Sequence, residues 1–243
     1  MRFLKKKDLI VIVFTGIFLM LISVVNVSAA SNNPLAKMPK KDSEVLNRAI
    51  FAKGATFMTP YYSSEVKIRV NNSNPSVATV KTGTGQHNYT GNAHRGGYYA
   101  YYEVVPVSPG TTKIKVTVTI NKRSYTKTCN YTVYKWENPF KKIKIGSAEY
   151  QSKLNKKGIY ILKNKKTISG KITYKLNPDF VITKITACYY TDPNKKYLTQ
   201  HKDLKSGDKL PENTIYISIR AKSKKNKLDK YTVDIDVPFE YQY

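Results

Sequence analysis

The sequence predicts an all-β protein built as two antiparallel β-sandwiches. Three observations carry that reading. After position 50 the apolar residues recur almost everywhere with a period of two, the pattern of strands with one buried and one wet face. The runs are short, and turn pairs such as Asn177-Pro178, Asp192-Pro193 and Ser206-Gly207 separate them. Helical spacing is scarce: only Ser43–Ile50 could make a helical turn or two, and it serves equally well as a first strand.

The chain opens with a segment that is not part of this pattern. MRFLKKKD is basic, Leu9–Val27 is almost continuously apolar, and Val27-Ser28-Ala29 or Ser28-Ala29-Ala30 supplies small residues directly after it. This is the layout of a secretory signal peptide over residues 1–30. The apolar run, at about 20 residues, is also long enough to cross a bilayer as an uncleaved anchor. The small-residue site favours cleavage, which makes the mature protein secreted or cell-envelope associated. Residues 31–44 read as a flexible linker.

The remaining elements follow in order. In KIKVTVTI (113–120), Ile114, Val116, Val118 and Ile120 share one face. In YTKTCNYTV (125–133), Tyr125, Cys129, Tyr131 and Val133 do the same, with Lys127 as the exception, and Asn121–Ser124 turns the chain between the two runs. WENPF (136–140) follows this completed hairpin and carries a proline, which places a boundary between residues 45–137 and 138–243. Beyond it come KIKI (142–145), IYIL (159–162), ITYKL (172–176) and VITKITACYY (181–190). A last hairpin puts Ile215, Ile217, Ile219 and Ala221 on one strand face, and Tyr231, Val233, Ile235, Val237 and Phe239 on the other. About 213 mature residues suffice for two cores of ordinary size.

Two stretches are more specific than periodicity. VNNSNPSVATV (70–80) and VSPGTTKIKVTVT (107–119), the latter followed by SYTKTCNYTV (124–133), occur in that order. Together they resemble the bacterial immunoglobulin-like domain, group 2, over residues ~45–135. Ser73-Asn74-Pro75 matches that family's turn, Val77, Ala78 and Val80 its next strand, Pro109-Gly110-Thr111 its second turn, and Cys129 its buried cysteine. The expected fold is two immunoglobulin-like antiparallel β-sandwich domains after the signal peptide, the first implied by the resemblance and the second, immunoglobulin-like or related, suggested by the strand pattern of 138–243. It also implies a spacer or adhesion role in a secreted or cell-surface protein of a Gram-positive bacterium. The sequence departs from the family at Val70, where a tryptophan is common, and at the connection after Val80, which is longer. The single tryptophan, Trp136, stands at the boundary. The second unit, 138–243, carries no comparable motif.

Charge narrows the partners. The formal net charge is +26, and loss of Arg2, Lys5, Lys6, Lys7 and Asp8 with the signal segment leaves about +23. Almost all of it is lysine, with six arginines in the chain. A surface this basic attracts an anionic cell-wall polymer or glycan, and another surface protein is a further candidate partner. No basic helix or nucleic-acid motif points to specific nucleic-acid binding. After signal cleavage no other segment is apolar enough to enter a membrane.

The stretch TGTGQHNYTGNAHRGGYYAYY (82–102) stands apart from the rest. Asn88 occupies the place where a dinucleotide fingerprint needs its last glycine, so no cofactor is implied. His87 and His94 have no nearby acid or cysteine, and His201 is distant, so no metal is implied. No nucleophile elbow or local His–acid pair suggests catalysis. Asp234 and Asp236 fall on the face opposite the apolar one and read as solubility residues, and Cys129 and Cys188 read as buried free thiols. The tyrosines remain. With a large rigid ring and a hydroxyl, they suit a contact surface. Tyr89, Arg95, Tyr99 and Tyr101 are the candidate contacts. The expected function is non-catalytic: an adhesion or structural spacer module acting through loops and a basic surface, or alternatively a carbohydrate-binding module using the insertion 82–102.

Overall fold

A computed structural model of the chain describes residues 33–46, 56–87, 97–154, 158–163, 165, 167–192 and 198–238. The expected signal segment lies outside them. Among the described residues no helix is long and apolar enough to cross a membrane.

The first sandwich has two sheets. One holds β1 (Lys41–Leu46), β7 (Arg123–Lys135), β6 (Gly110–Ile120) and β3 (Val66–Asn72), in that order; the other holds β2 (Thr56–Met58), β5 (Gly97–Pro106) and β4 (Ala78–His87). The last, next-to-last and third strands thus lie side by side opposite the second, fifth and fourth. This is the disposition of an immunoglobulin-like sandwich. Val66, Ala78, Ala100, Val104, Ile114, Val116, Val118 and Tyr131 fill the space between the sheets. The expected face of β6 is buried throughout, and β7 contributes Cys129, Tyr131 and Val133 to it.

The second sandwich repeats the theme. Its larger sheet runs β10 (Ile159–Ile161), β15 (Tyr231–Asp236), β14 (Thr214–Ser223), β12 (Phe180–Tyr190), β13 (Thr199–Asp203). The smaller runs β11 (Ile172–Leu176), β8 (Phe140–Ile145), β9 (Ala148–Glu149), with one helical turn, α1 (Gln151–Leu154), after β9. Ile143, Ile172, Ile217, Ile219, Val233 and Ile235 form its core.

The sheets are not purely antiparallel. β1 runs parallel to β7, and β10 runs parallel to β15. In both sandwiches a short early strand lies along the last strand and covers an edge that would otherwise expose unpaired backbone groups.

Of the segment expected as a linker, 31–44, the described residues 33–44 belong to the first sandwich. Leu35 and Met38 are buried in the first core, and Lys41–Leu46 is already β1. Lys127, the exception to the β7 pattern, explains how the segment is held. It sits on the core face opposite Val116, and its Nζ donates to the carbonyls of Leu35 at 3.0 Å and Ala36 at 2.9 Å. A half-buried lysine stem with its head on two carbonyls satisfies both halves of that side chain.

The family-like turn is knotted around Thr112, a buried hydroxyl. It accepts the Asn74 N–H at 3.0 Å, donates to Asn72 Oδ1 and contacts the Ser73 hydroxyl. Asn74 Oδ1 in turn accepts the backbone N–H and hydroxyl of Ser76. Gly110 is needed because a Cβ there would come within 2.8 Å of Val77 Cγ2.

At the junction Val45 of β1 packs with Trp136 in the second core. Lys230 reaches across from the second sandwich, donating to the Ser43 carbonyl at 2.6 Å and pairing with Glu44 at 3.1 Å.

Candidate functional site: an aromatic strip on the β4–β5 hairpin

The stretch 82–102 is mostly strand. Val80 pairs with Val104, Thr82 with Tyr102, and the ladder continues to His87 opposite Gly97. The longer connection after Val80 is therefore paired strand up to His87 and again from Gly97, and residues 88–96 lie outside the described residues. The candidate contacts Tyr89 and Arg95, and His94 with them, lie outside the described residues.

Alternation decides where the other tyrosines go. Ala100, Tyr102 and Val104 point into the core, and Phe57 stacks on Tyr102 with ring centroids 5.5 Å apart. Tyr99 and Tyr101 point outward, each directly opposite a glycine of β4: Tyr99 faces Gly85 and Tyr101 faces Gly83. With the rings where they lie, neither glycine leaves room for a Cβ. A Cβ on Gly83 would lie 2.6 Å from Cζ of Tyr101, and one on Gly85 would lie 2.5 Å from Cζ of Tyr99. The two rings are laid across the neighbouring strand, where they cover backbone that glycine leaves bare.

The strip extends beyond the hairpin. The Tyr99 and Tyr101 centroids are 6.4 Å apart with their planes tilted by 31°, and Tyr61 meets Tyr99 edge-on at 5.5 Å and His87 at 5.8 Å. Met58 of β2 stands opposite Tyr101. Met58, Tyr61 and Tyr101 are 50%, 46% and 36% exposed, all among the exposed large apolar side chains described. Residues 59–62 reach the strip because their backbone runs on along β5. The Tyr62 and Tyr98 N–H groups donate to each other's carbonyls at 2.8 Å. Sequence reading found Tyr99 and Tyr101 but missed Tyr61, Met58 and the part His87 plays. Only the register of β2 against β5 brings Thr56–Tyr62 alongside.

The other face of this sandwich has different chemistry. The outward positions of β3, β6 and β7 carry exposed Lys67, Arg69, Lys113 and Lys115 among hydroxyls, including the Thr117–Thr126 and Thr119–Ser124 cross-strand pairs. No carboxylate stands at any outward position of those three strands. The first sandwich thus shows an aromatic face on one side and a cationic, hydroxyl-rich face on the other.

Groups of the type that carries chemistry are engaged elsewhere. Burial pushes the thiols of Cys129 and Cys188 up from their ordinary range, the wrong direction for a nucleophile. Asp203 pairs with Lys184 at 3.3 Å and accepts from the Thr186 hydroxyl at 3.1 Å, rather than serving His201. No group of three or more His, Cys, Asp or Glu side chains that could hold a metal occurs among the described residues.

Asp234 corrects an expectation. It is on the face opposite the apolar one, as alternation requires, but it is only 7% exposed and not a solubility residue. Its Oδ1 accepts the Tyr216 hydroxyl at 2.7 Å and the Ser218 hydroxyl at 2.8 Å. Burial raises its carboxyl above the usual range, against those two hydrogen bonds, which lower it. The reason lies on the neighbouring strand: Tyr216 and Ser218 of β14 stand on the same face, and their side chains close on the carboxyl.

No protein-family model and no curated protein matches the chain. Several solved structures are similar to it at low identity. The zebrafish RET cadherin-like domains 1 to 4 align over 83% of this chain and 50% of theirs, at 12% identity and a TM-score of 0.29. Domains 5–6 of the S-layer protein SbsC align over 84% and 95%, at 14% identity and a TM-score of 0.23. Titin domains I67–I69 align over 82% and 62%, at 11% identity and a TM-score of 0.23. The chain spans about half the length of the RET fragment and 30% of the SbsC fragment of domains 4–9. The assignment of two immunoglobulin-like sandwiches rests on the sheets and cores described above.

Proposed function

We propose that this chain is a non-catalytic adhesion module of a bacterial cell envelope, with a first sandwich of the group 2 immunoglobulin-like kind, and that it holds a glycan against the strip of Tyr61, Tyr99 and Tyr101. The observation that carries the reading is the placement of two tyrosines over two glycines on an open sheet face. A core packing role would bury those rings, and a solubility role would not use them. Aromatic ring faces carry a negative quadrupole that attracts the polarised C–H groups on the apolar side of a sugar ring. The strip is shallow and extended, which suits a polymer more than an enclosed small molecule. A net charge of +26 adds long-range attraction to acidic envelope polymers.

The test is a glycan and cell-wall binding screen at low and high salt, comparing the wild type with Tyr99→Ala/Tyr101→Ala. Stacking survives salt, whereas charge attraction is screened within about 10 Å at 0.1 M. The reading expects saturable binding to a glycan class that persists at high salt and is lost in the double variant. Binding that salt abolishes and the double variant keeps would overturn it.

A second reading, a rigid spacer between surface modules, is favoured by the Lys230 contact across the junction near the expected 137–138 boundary. A spacer needs a fixed angle between its units, and the default expectation for joined domains is relative motion.

A further inference from the structure

The second sandwich carries a concavity that neither sequence reading nor the aromatic strip accounts for. It has a volume of about 420 Å³ and opens between α1 and β10, lined by Tyr150, Lys153, Tyr160, Leu162, Lys163 and Lys165 with Ala148 and Ile161. Its floor is aromatic. Tyr150 is buried at the end of β9, where its N–H donates to the Ile143 carbonyl at 3.0 Å, and its ring meets that of Tyr160 edge-on at 5.8 Å. The helical turn of α1 brings Lys153 over both rings, its Nζ 5.2 Å from the centroid of Tyr150 and 4.8 Å from that of Tyr160. After β10 the chain doubles back tightly. The Lys163 N–H donates to the Ile161 carbonyl and the Lys165 N–H to the Leu162 carbonyl, both at 3.1 Å, and this sets the second and third lysines on the rim.

Three lysines therefore line one hollow that has no carboxylate in its wall. None of them forms an ion pair with a described residue. The nearest acid in the sequence, Glu149, is turned away by strand alternation and bound elsewhere: Lys142 and Lys144 each pair with it at 3.0 Å. Like charges gathered round a hollow repel one another, and an anion entering it relieves that repulsion. The donor type narrows the anion. A planar carboxylate is best met by the flat fork of arginine, whereas separate ammonium point charges suit a tetrahedral oxyanion with several outward oxygens. The tyrosine rings and Leu162 add an apolar wall for carbon attached to that oxyanion.

We propose that this pocket is a phosphate-ester site, taking the phosphate of a sugar or polyol phosphate such as occurs in extracellular phosphopolymers. It uses different residues from the aromatic strip and stands or falls separately. The experiment is a titration of the mature chain, followed by tyrosine NMR shifts and calorimetry, with glycerol 1-phosphate, inorganic phosphate and glycerol as probes. Four proteins are compared: wild type, Lys153→Gln/Lys163→Gln, a charge-matched control Lys67→Gln/Lys115→Gln on the first sandwich, and Tyr99→Ala/Tyr101→Ala. All four lysines are exposed, so a melting curve for each variant suffices to show that it folds. The expected result is glycerol 1-phosphate binding with shifts at Tyr150 and Tyr160, and no response to glycerol. Affinity should weaken about tenfold or more in the pocket variant, as expected when two adjacent charges are lost, and stay unchanged in the other two. Inorganic phosphate binding as tightly as the ester would keep the same site and assign it to the free ion. Equal loss in the Lys67/Lys115 control, or no binding of either phosphate, would overturn the proposal.

Discussion

At the scale of single residues, two positions decide how the molecule meets its surroundings. Gly85 and Gly83 are present because Tyr99 and Tyr101 occupy the space their Cβ atoms would need. Gly85→Ala must push the outer end of the Tyr99 ring aside, a shift that the free end of a flexible side chain makes at little cost. The urea midpoint should therefore move little, while near-ultraviolet dichroism changes with the displaced ring. Unchanged dichroism would mean the ring does not rest on the glycine. Asp234 makes a prediction in pH. Its folded carboxyl is raised, so the folded state holds the proton to higher pH than the unfolded state, whose value is about 3.9. The stability this gives is complete below the unfolded value and is lost as pH rises through the folded one. Relative to Asp234→Asn, the wild type should therefore gain stability as pH is lowered from 7 toward 4, measured by urea unfolding at each pH. A constant difference would show that Asp234 is not held in a burying environment. Nothing in the sequence marked Asp234. Alternation predicts the face it is on, but only the pairing with β14 brings Tyr216 and Ser218 over the carboxyl.

At the scale of elements, the strands were legible and their edges were not. The faces of β6, β7, β14 and β15 follow directly from period-two spacing, because a strand that buries one face must alternate. The parallel pairing of β1 and β10 with the last strands left no such trace, since a short edge strand has too few residues to show a period. The outer half of β4 is hard to read as strand for a related reason. Glycines normally weaken a strand, and the pattern that makes them useful here lies across the ladder, in the tyrosines opposite. The β6–β7 turn is tighter than the sequence suggested. Asn121 and Lys122 alone make it, with φ of 50° and 64°, and Arg123 and Ser124 already belong to β7. Two successive positive φ values define a turn that favours Asn-Gly. Lys122→Gly removes a strained lysine and should stabilise the sandwich by about 0.5–1 kcal/mol in thermal unfolding; destabilisation would contradict the turn assignment. Lys127 makes a parallel case on the core side. Lys127→Ala frees the carbonyls of Leu35 and Ala36, so amide exchange across residues 35–40 should rise while β6 stays protected. Exchange that is unchanged in this segment would show that burial of Leu35 and Met38 alone holds it.

At the scale of the whole molecule, two sandwiches with separate cores meet through Val45, Trp136 and the reach of Lys230. Lys230→Ala removes the only side chain described that spans from the second sandwich to β1 by hydrogen bond and ion pair. The ion pair is partly exposed and small in energy, so the fold should survive. Small-angle scattering should then show a broader distribution of distances between the units, and no broadening would place the rigidity in the Val45–Trp136 contact. Positive charge is spread over both units, whereas the exposed aromatic strip belongs to one face of the first. That contrast separates the central claim, a glycan held by stacking on the strip, from attraction by charge alone. It is tested most directly by measuring adsorption of the mature chain to purified cell-wall glycan at 50 mM and 500 mM salt, with and without Tyr99→Ala/Tyr101→Ala. The account predicts a binding component that survives the higher salt in the wild type and disappears in the double variant. Adsorption that the higher salt abolishes in both proteins, with no difference between them at the lower, would contradict it.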